Sequence, residues 1–192
     1  MTNLLSLINY INGVINLKPE DIEILKNYVT ERHYLKNQYI IQQGDICKTE
    51  SFIVSGCTKT FYVHENGQEH IIMFSVKDWW TADIGSFVSQ TPADFNVQCL
   101  EDTTVIQFHY DTIDELFEKI PKLERFFRKI IERAFVASQK RLIRNLSLSA
   151  KERYTYFRNT YPDFEQRIPQ YMIASYLGIT KEFFSKMKNK IK

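Results

Sequence analysis

Apolar residues recur at helical spacing in the first thirty residues of the chain. Two sets, separated by Pro19, have steps of three and four residues: Leu4, Leu7, Ile8 and Ile11, then Ile22, Leu25 and Val29. Such steps place side chains on one face of a helix, and proline is tolerated in a first turn. The pattern predicts two short helices before residue 30.

Between His33 and Phe108 the pattern changes to short runs of β-branched and aromatic residues separated by turn residues. The runs read YIIQQGD, ESFIVSG, TKTFYVHENGQEHIIMF and VQCLEDTTVIQFHY. The pair Asn66-Gly67 predicts a tight two-residue hairpin turn, because both residues tolerate positive φ. No helical pattern connects the runs, so we expect an antiparallel sandwich or roll.

After His109 the helical period returns. Asp111 to Phe117 predicts a brief helix, and Pro121 opens a run that extends to Leu146 with no further glycine or proline. Its apolar residues occupy more than one face, so one face can cover the sheet while another pairs with a second copy of the chain. We assign the pairing face to Leu123, Phe127, Ile130 and Ala134. A core helix buried on all sides remains the alternative.

Two further helical segments close the chain. Ser149 and Glu152 form a capping-box pattern ahead of a helix that Pro162 ends. Beyond Pro169, two helices crossing at a steep angle can share one small core, with Gly178 ending the first helix and Thr180 capping the second. Its apolar members are Ile173, Ala174, Leu177, Ile179, Phe184 and Met187. This spacing is typical of a helix-turn-helix, although a protein-binding helical hairpin also fits it.

The overall charge of +2 hides a strong asymmetry. Residues 1–118 contain 7 Lys/Arg and 17 Asp/Glu, a net of −10, whereas residues 119–192 contain 18 and 6, a net of +12. A basic part of this size indicates contact with a polyanion, and merely solvated basic helices are the alternative.

The last helix has the chemistry of a DNA-reading element. Lys181, Glu182 and Lys186 project from it and can contact base edges. We expect phosphate contacts or supporting roles from Gln170, Tyr171, Thr180, Ser185, Lys188 and Lys190. Phe183 either presses on a thymine methyl group or packs on a neighbouring helix.

Other chemistry is poorly supported by the sequence. Cys47, Cys57 and Cys99 are widely separated, and four scattered histidines lack metal-ligand spacing, so we expect buried reduced thiols, no metal and no cofactor. No catalytic set can be assembled, which argues against an enzyme. The chain shows no signal peptide and no membrane span, so we expect a soluble cytoplasmic protein that does not associate with membranes.

The order of parts resembles the cyclic-AMP receptor protein (CRP/FNR) family of bacterial transcription regulators. Four stretches carry the resemblance: YIIQQGD at 39–45, ENGQEHIIMF at 65–74, VKDWW at 76–80 and ASYLGITKEFFSKM at 174–187. It implies an α+β fold with an antiparallel β-roll sensor domain with N-terminal helices at 1–118, a dimerisation helix at 119–146 and a winged-helix-like helix-turn-helix domain at 147–192. The implied partners are DNA, a second copy of the chain and RNA polymerase.

Two departures from the family pattern change what the resemblance implies. Lys181 and Lys186 stand where the family has base-reading arginines, around the matching Glu182, and lysine lacks the planar fork for bidentate guanine contacts. The second departure is in the effector pocket, where no arginine lies between Arg32 and Arg125. The family's ribose-binding glutamate and phosphate-binding arginine are replaced in two short stretches that contain Ala82, Asp83, Gly85, Ala93 and Asp94.

The expected function follows from these observations. We expect a homodimeric, sequence-specific DNA-binding transcription regulator that reads a near-palindromic operator and is not controlled by cyclic AMP, because the pocket lacks a cation for the phosphate. Its effector is not identified by the sequence. Without a cysteine before Cys47, oxygen sensing through an iron–sulfur cluster is not expected. The alternative is a ligand-binding or protein-interaction module whose C-terminal hairpin contacts protein.

Overall fold

A computed structural model describes residues 2–189 of the chain. The strands in that range are β1 Val29–Tyr34, β2 Tyr39–Ile41, β3 Thr49–Ser55, β4 Cys57–Val63, β5 Glu69–Val76, β6 Trp80–Thr81, β7 Asn96–Cys99 and β8 Thr103–His109. The helices are α1 Thr2–Asn12, α2 Pro19–Tyr28, α3 Ile84–Ser89, α4 Tyr110–Lys119, α5 Lys122–Ser147, α6 Ala150–Thr160, α7 Phe164–Arg167, α8 Gln170–Leu177 and α9 Lys181–Asn189.

The strands form two four-stranded antiparallel sheets that make a β-roll. One sheet has the order β1-β8-β3-β6 and the other the order β2-β7-β4-β5. Consecutive strands such as β3 and β4 lie in different sheets, and Gly56 between them has φ +95 and sits against Thr103, where a Cβ would clash. The predicted α+β class with an N-terminal β-roll is therefore confirmed.

The hairpin between β4 and β5 differs from the predicted two-residue turn. The His64 N–H donates to the Gln68 carbonyl at 3.0 Å, and the Gly67 N–H donates to the His64 carbonyl at 2.8 Å. Three residues thus form the loop, and of Asn66 and Gly67 only the glycine has positive φ, at +81. This is the three-residue hairpin in which a glycine follows a type I turn, and it uses the same sequence signal.

A first core joins the β-roll to the N-terminal helices and the start of α5. Phe52, Phe108, Phe126 and Phe127 are buried there, and Trp80 packs on them with ring centroids 5.4 to 5.9 Å apart. Cys47 belongs to this core, and all three cysteines are buried free thiols, as expected.

A second core joins the outer face of the β4–β5 sheet to the C-terminal helices. Phe61, Ile71 and Phe74 of the roll pack with Phe157 and Ile173 of the following helices. We call residues 148–189 the head. Because the head shares this core with the roll, the two parts are packed against each other within one chain.

The head is helical throughout its described part. Its four helices include the two predicted for the helix-turn-helix, and the Ser149–Glu152 capping box is present. No strand occurs between residues 148 and 189, so the wing of the predicted winged helix is missing from this stretch. Along residues 2–189, no helix is both long enough and apolar enough to cross a membrane.

Candidate nucleic-acid interface

The helix pair α8–α9 is built by a glycine turn and a small apolar core. Gly178 adopts the left-handed conformation with φ +68, and its N–H closes α8 on the carbonyls of Ala174 and Ser175. Ile173 and Phe184 are fully buried, and the Phe184 ring meets Tyr154 edge-on at 5.2 Å. The sequence predicted this turn and core, and the physical reason is that only a residue without Cβ takes positive φ freely.

The core orients one face of α9 toward solvent. Because Phe184 points inward, the side chains of Lys181, Glu182, Ser185 and Lys186 lie on the exposed side of the helix. Thr180 caps the helix, with its hydroxyl accepting the Phe183 N–H at 3.1 Å. The N-terminal half of a helix with exposed cations and free backbone N–H groups is suited to phosphates and base edges.

Four of the residues predicted to contact or support phosphates differ in how they are placed. Gln170 and Tyr171 are exposed at the start of α8, where phosphate contact is open to them. Lys188 forms an ion pair with Glu165 of α7, so its ammonium group already has a partner within the head. Lys190 lies outside the described residues.

The pair formed by Lys188 and Glu165 stabilises the head itself. Partial burial pushes the pKa of Glu165 upward, but hydrogen bonds from Lys188 and Tyr154 outweigh it and the pKa falls below its ordinary value. The carboxylate therefore remains charged and retains Lys188 near the α6–α7 junction. Spacing alone could not show this, because Glu165 is 23 positions from Lys188 in the sequence.

Phe183 is half exposed, at 52%, and does not pack into the core of the head. It lies between Glu182 and the buried Phe184, on the same helix as the candidate reading residues. An apolar ring in this position is available for contact with a thymine methyl group.

The long helix α5 uses its faces differently from the prediction. Leu123 and Phe127 are buried in the first core and Ile130 is partly buried against it, so most of the surface of these side chains is used within their own chain. Only Ala134 of the predicted set is exposed. The face that is left open contains Ile131, Phe135, Leu142, Ile143 and Leu146, with exposed fractions of 48 to 80%.

We call that open series of Ile131, Phe135, Leu142, Ile143 and Leu146 the α5 stripe. The steps from residue 131 to 135 and from 142 to 146 are helical steps of four, so these side chains follow one side of the helix. The sequence contains this signal, but the four-three-four spacing of the predicted set from Leu123 to Ala134 is equally regular. Only packing against the roll distinguishes the two faces.

The two stretches that the sequence assigned to the effector pocket meet at Asp83. Its carboxylate is buried and accepts N–H groups from Ser86 at 3.0 Å, Asp94 at 2.8 Å and Phe95 at 3.1 Å. Ala93 is buried beside this loop, whereas Gly85 and Asp94 are exposed and Ala82 is half-buried. The carboxylate of Asp83 thus accepts hydrogen bonds from three backbone N–H groups of its own chain.

Three buried threonine hydroxyls of the roll lack a hydrogen-bond partner among the described residues. They belong to Thr58, Thr60 and Thr81. Sequence patterns missed them, because threonine is an ordinary strand residue and gives no signal of burial on both sides.

The β-roll, the long helix and the helical head follow one another in this order along the chain. Residues 31–120 match the family description "Cyclic nucleotide-binding domain". The transcriptional activator protein Anr of Pseudomonas aeruginosa is 26% identical over 185 residues, which cover 90% of this chain and 75% of Anr. The anaerobic regulatory protein of Haemophilus influenzae is 23% identical and covers 89% of this chain and 70% of its own length.

Solved structures have the same fold. FixK2 from Bradyrhizobium japonicum superimposes with a TM-score of 0.73 at 16% identity, over 85% of this chain and 84% of FixK2. The global regulator CLP of Xanthomonas campestris, described as responsive to c-di-GMP, gives 0.72 at 14% identity, over 91% of both chains. Residues 31–120 thus match the cyclic nucleotide-binding domain, and over most of its length the chain is similar to transcription regulators.

Proposed function

We propose that the protein is a homodimeric regulator that binds a near-palindromic operator through α9 and does so without cyclic AMP. The observation that carries this proposal is the exposed face of α9, where Lys181, Glu182 and Lys186 stand over a buried Phe184. Cations can donate to guanine and the carboxylate can accept from cytosine, so the mixed charges favour sequence reading over simple adhesion.

The α5 stripe supports the homodimer. Phe135, Leu142 and Leu146 are 61, 59 and 80% exposed, and an apolar series of this length along one helix is normally covered. A second copy related by a two-fold axis would cover it, because each helix presents the same stripe to the other. Two heads related in this way would meet half-sites about one DNA turn apart.

The arrangement around Asp83 supports independence from cyclic AMP. A cyclic phosphate entering there would have to displace a carboxylate that already accepts three backbone N–H groups. It would find no arginine between Arg32 and Arg125 of the sequence to offset its charge.

Within this proposal the protein acts in the cytoplasm, and RNA polymerase at the regulated promoter is its protein partner. An uncharged molecule is the class of effector that the unpartnered threonine hydroxyls of the roll would accept.

Selection of duplexes from a random pool by the purified full chain tests the proposal. We expect enrichment of one near-palindromic sequence, equally with and without cyclic AMP, and none by the Lys181→Ala/Lys186→Ala variant. Enrichment only in the presence of cyclic AMP would contradict the pocket assignment. Failure to enrich any sequence would contradict the DNA-reading assignment.

Sedimentation of Phe135→Asp/Leu142→Asp tests the homodimer. We expect the wild type to sediment as a dimer and the variant as a monomer with unchanged circular dichroism. The exposed residue Val88 of α3, 69% accessible, provides the matched control Val88→Asp, which should remain dimeric. A wild type that sediments as a monomer at micromolar concentration would contradict this part.

A further inference from the structure

Strand β5 is an edge strand whose free side is covered by the head. The sheet order β2-β7-β4-β5 gives β5 a strand neighbour on one side only. An edge strand normally presents unpaired N–H and C=O groups to solvent, and proteins cover them with other elements. Here side chains of α5, of α8 and of the end of α6 occupy that position.

Ser175 of α8 takes the place of one residue of a missing strand. The Ile71 N–H donates to the Ser175 hydroxyl at 3.0 Å, and the same hydroxyl donates to the Glu69 carbonyl at 3.0 Å. The Ser175 hydroxyl thus accepts one hydrogen bond and donates another. The C=O and N–H groups of a neighbouring strand residue would do the same at Ile71 and Glu69.

Tyr161 makes a second contact with the same edge. Its hydroxyl donates to the Phe74 carbonyl at 3.0 Å from a buried position. Phe74 is surrounded by four aromatic rings of the head, Phe157, Tyr161, Phe164 and Tyr176, at 5.2 to 6.3 Å.

Arg141 of α5 connects the edge to the long helix. Its guanidinium lies 4.3 Å from the centre of the Tyr176 ring and reaches the carbonyls of Ile71 and Tyr176 at 3.5 and 3.4 Å. The hydrogen bonds are long, so stacking on the ring carries more of this contact. We call Ser175, Tyr161 and Arg141 the edge clamp.

The clamped arrangement leaves both functional surfaces open. Lys181, Glu182 and Lys186 of the reading face are exposed, and so are Phe135 and Leu142 of the α5 stripe. Clamping, dimer formation and DNA contact therefore do not compete for the same side chains.

We propose that Ser175, Tyr161 and Arg141 are positioning residues that fix the reading helix to the β-roll and so set the half-site spacing that the dimer accepts. This inference rests on the proposed function. It adds that the DNA-competent orientation of the head is built into the chain by the edge clamp and needs no effector.

Half-site spacing is a sensitive measure of such rigidity. One extra base pair moves a half-site by about 3.4 Å and rotates it by about 35° around the DNA axis. Two heads fixed to their rolls cannot follow that rotation, whereas heads that pivot on a loosened edge can. Contact between one head and one half-site depends only on the exposed side of the head and should not change.

The test compares Ser175→Ala/Tyr161→Phe with wild type on the selected operator and on versions with the spacer changed by one and two base pairs. Each substitution removes one hydroxyl and leaves the ring and the backbone in place. We expect the wild type to lose at least about tenfold in affinity per added or removed base pair, and the variant to lose less than about threefold. Affinity for an isolated half-site should be equal for both proteins. Arg141→Ala should flatten the spacing profile in the same direction.

Ser89→Ala/Tyr110→Phe is the matched control, because both side chains belong to the roll elements α3 and α4 and neither contacts β5. It should retain the wild-type spacing profile. Hydrogen exchange of the Ile71 amide gives a readout without DNA: it should become faster in the clamp variant and remain unchanged in the control.

The outcomes separate this inference from the proposed function. A wild type that binds no duplex contradicts the proposed function. A wild type that binds, with a clamp variant that keeps the same spacing profile while Ile71 exchanges faster, overturns the positioning role alone. A clamp variant that binds every spacing more tightly than wild type also overturns it, because the clamp would then hold a DNA-incompetent head. Unchanged exchange at Ile71 would show that the two hydroxyls do not hold the edge.

Discussion

The proposed reading face of α9 and the loop around Asp83 differ in whether their polar groups are already paired within the chain. On α9, Lys181 and Lys186 face solvent and remain available to a polyanion. In the loop, three backbone N–H groups are already paired with a carboxylate of the same chain. The comparison teaches that hydrogen-bond donors alone do not make a ligand site. Donors that are already paired within the chain must first lose that hydrogen bond before they can bind a ligand.

The same contrast separates the two halves of α5. Its first turns are buried against the β-roll through Leu123, Phe126 and Phe127, whereas Phe135, Leu142 and Leu146 are left in solvent. One helix therefore belongs to the core at its start and presents exposed apolar side chains further along. Four predictions test these contrasts, beginning with the largest expected effect.

The difference between inward and outward side chains of α9 is tested at adjacent phenylalanines. Phe184→Ala removes a fully buried ring and should destabilise the head by about 3 to 5 kcal/mol, whereas Phe183→Ala should change stability by less than about 0.5 kcal/mol. Thermal unfolding followed by circular dichroism measures both. Equal losses for the two variants would show that the inward and outward faces of α9 are misassigned.

The buried carboxyl group of Glu50 in the roll predicts that stability depends on pH. Burial raises the pKa of Glu50 from its ordinary value of 4.5 to about 7. The folded protein then holds this proton more tightly than the unfolded chain, so the stabilisation is complete below about pH 4.5 and is lost as the pH rises through about 7. The total change is about 3 kcal/mol.

Urea unfolding of wild type and Glu50→Gln between pH 5 and pH 8 measures that contribution. Glu50→Gln should lack this part of the pH dependence. Between pH 5 and pH 8 the unfolding free energy of the wild type should therefore fall relative to that of the variant. If the unfolding free energies of the two proteins run parallel from pH 5 to pH 8, Glu50 does not contribute to the pH dependence.

The structural role of the Asp83 carboxylate is tested by removing it. Asp83→Ala leaves the N–H groups of Ser86, Asp94 and Phe95 without their acceptor and should lower the unfolding free energy by about 2 kcal/mol. Asp94→Ala, at an exposed carboxyl of the same loop, is the matched control and should be nearly neutral. Chemical denaturation compares them, and a neutral Asp83→Ala would contradict the structural role of the carboxylate.

The smallest expected effect distinguishes two lysines of α9. Lys186→Ala should weaken binding to the selected operator by about 1 kcal/mol and relax the preference at one base position, since lysine makes a single-point contact. Lys188→Ala should leave base preference unchanged, because Lys188 is paired with Glu165. Competition binding on single-base operator variants measures both, and a relaxed base preference in Lys188→Ala would place that lysine on the DNA.

The sequence by itself determined the order of the parts and much of the α8–α9 helix pair. Periodicity predicted the helices and strands, the Asn66-Gly67 signal located the hairpin, and the spacing from Ala174 to Met187 predicted the α8–α9 pair. These features depend on neighbours within a few positions of one another. Local spacing, turn propensity and capping are sufficient to specify them.

Only the tertiary structure decided which surfaces are free. It showed that Leu123 and Phe127 belong to the protomer core, that Lys188 pairs with Glu165, and that Asp83 accepts the amides of Asp94 and Phe95. It also placed Ser175 against Ile71, a residue 104 positions away. Contacts between residues so far apart depend on how complete elements pack, and no local pattern in the sequence encodes them.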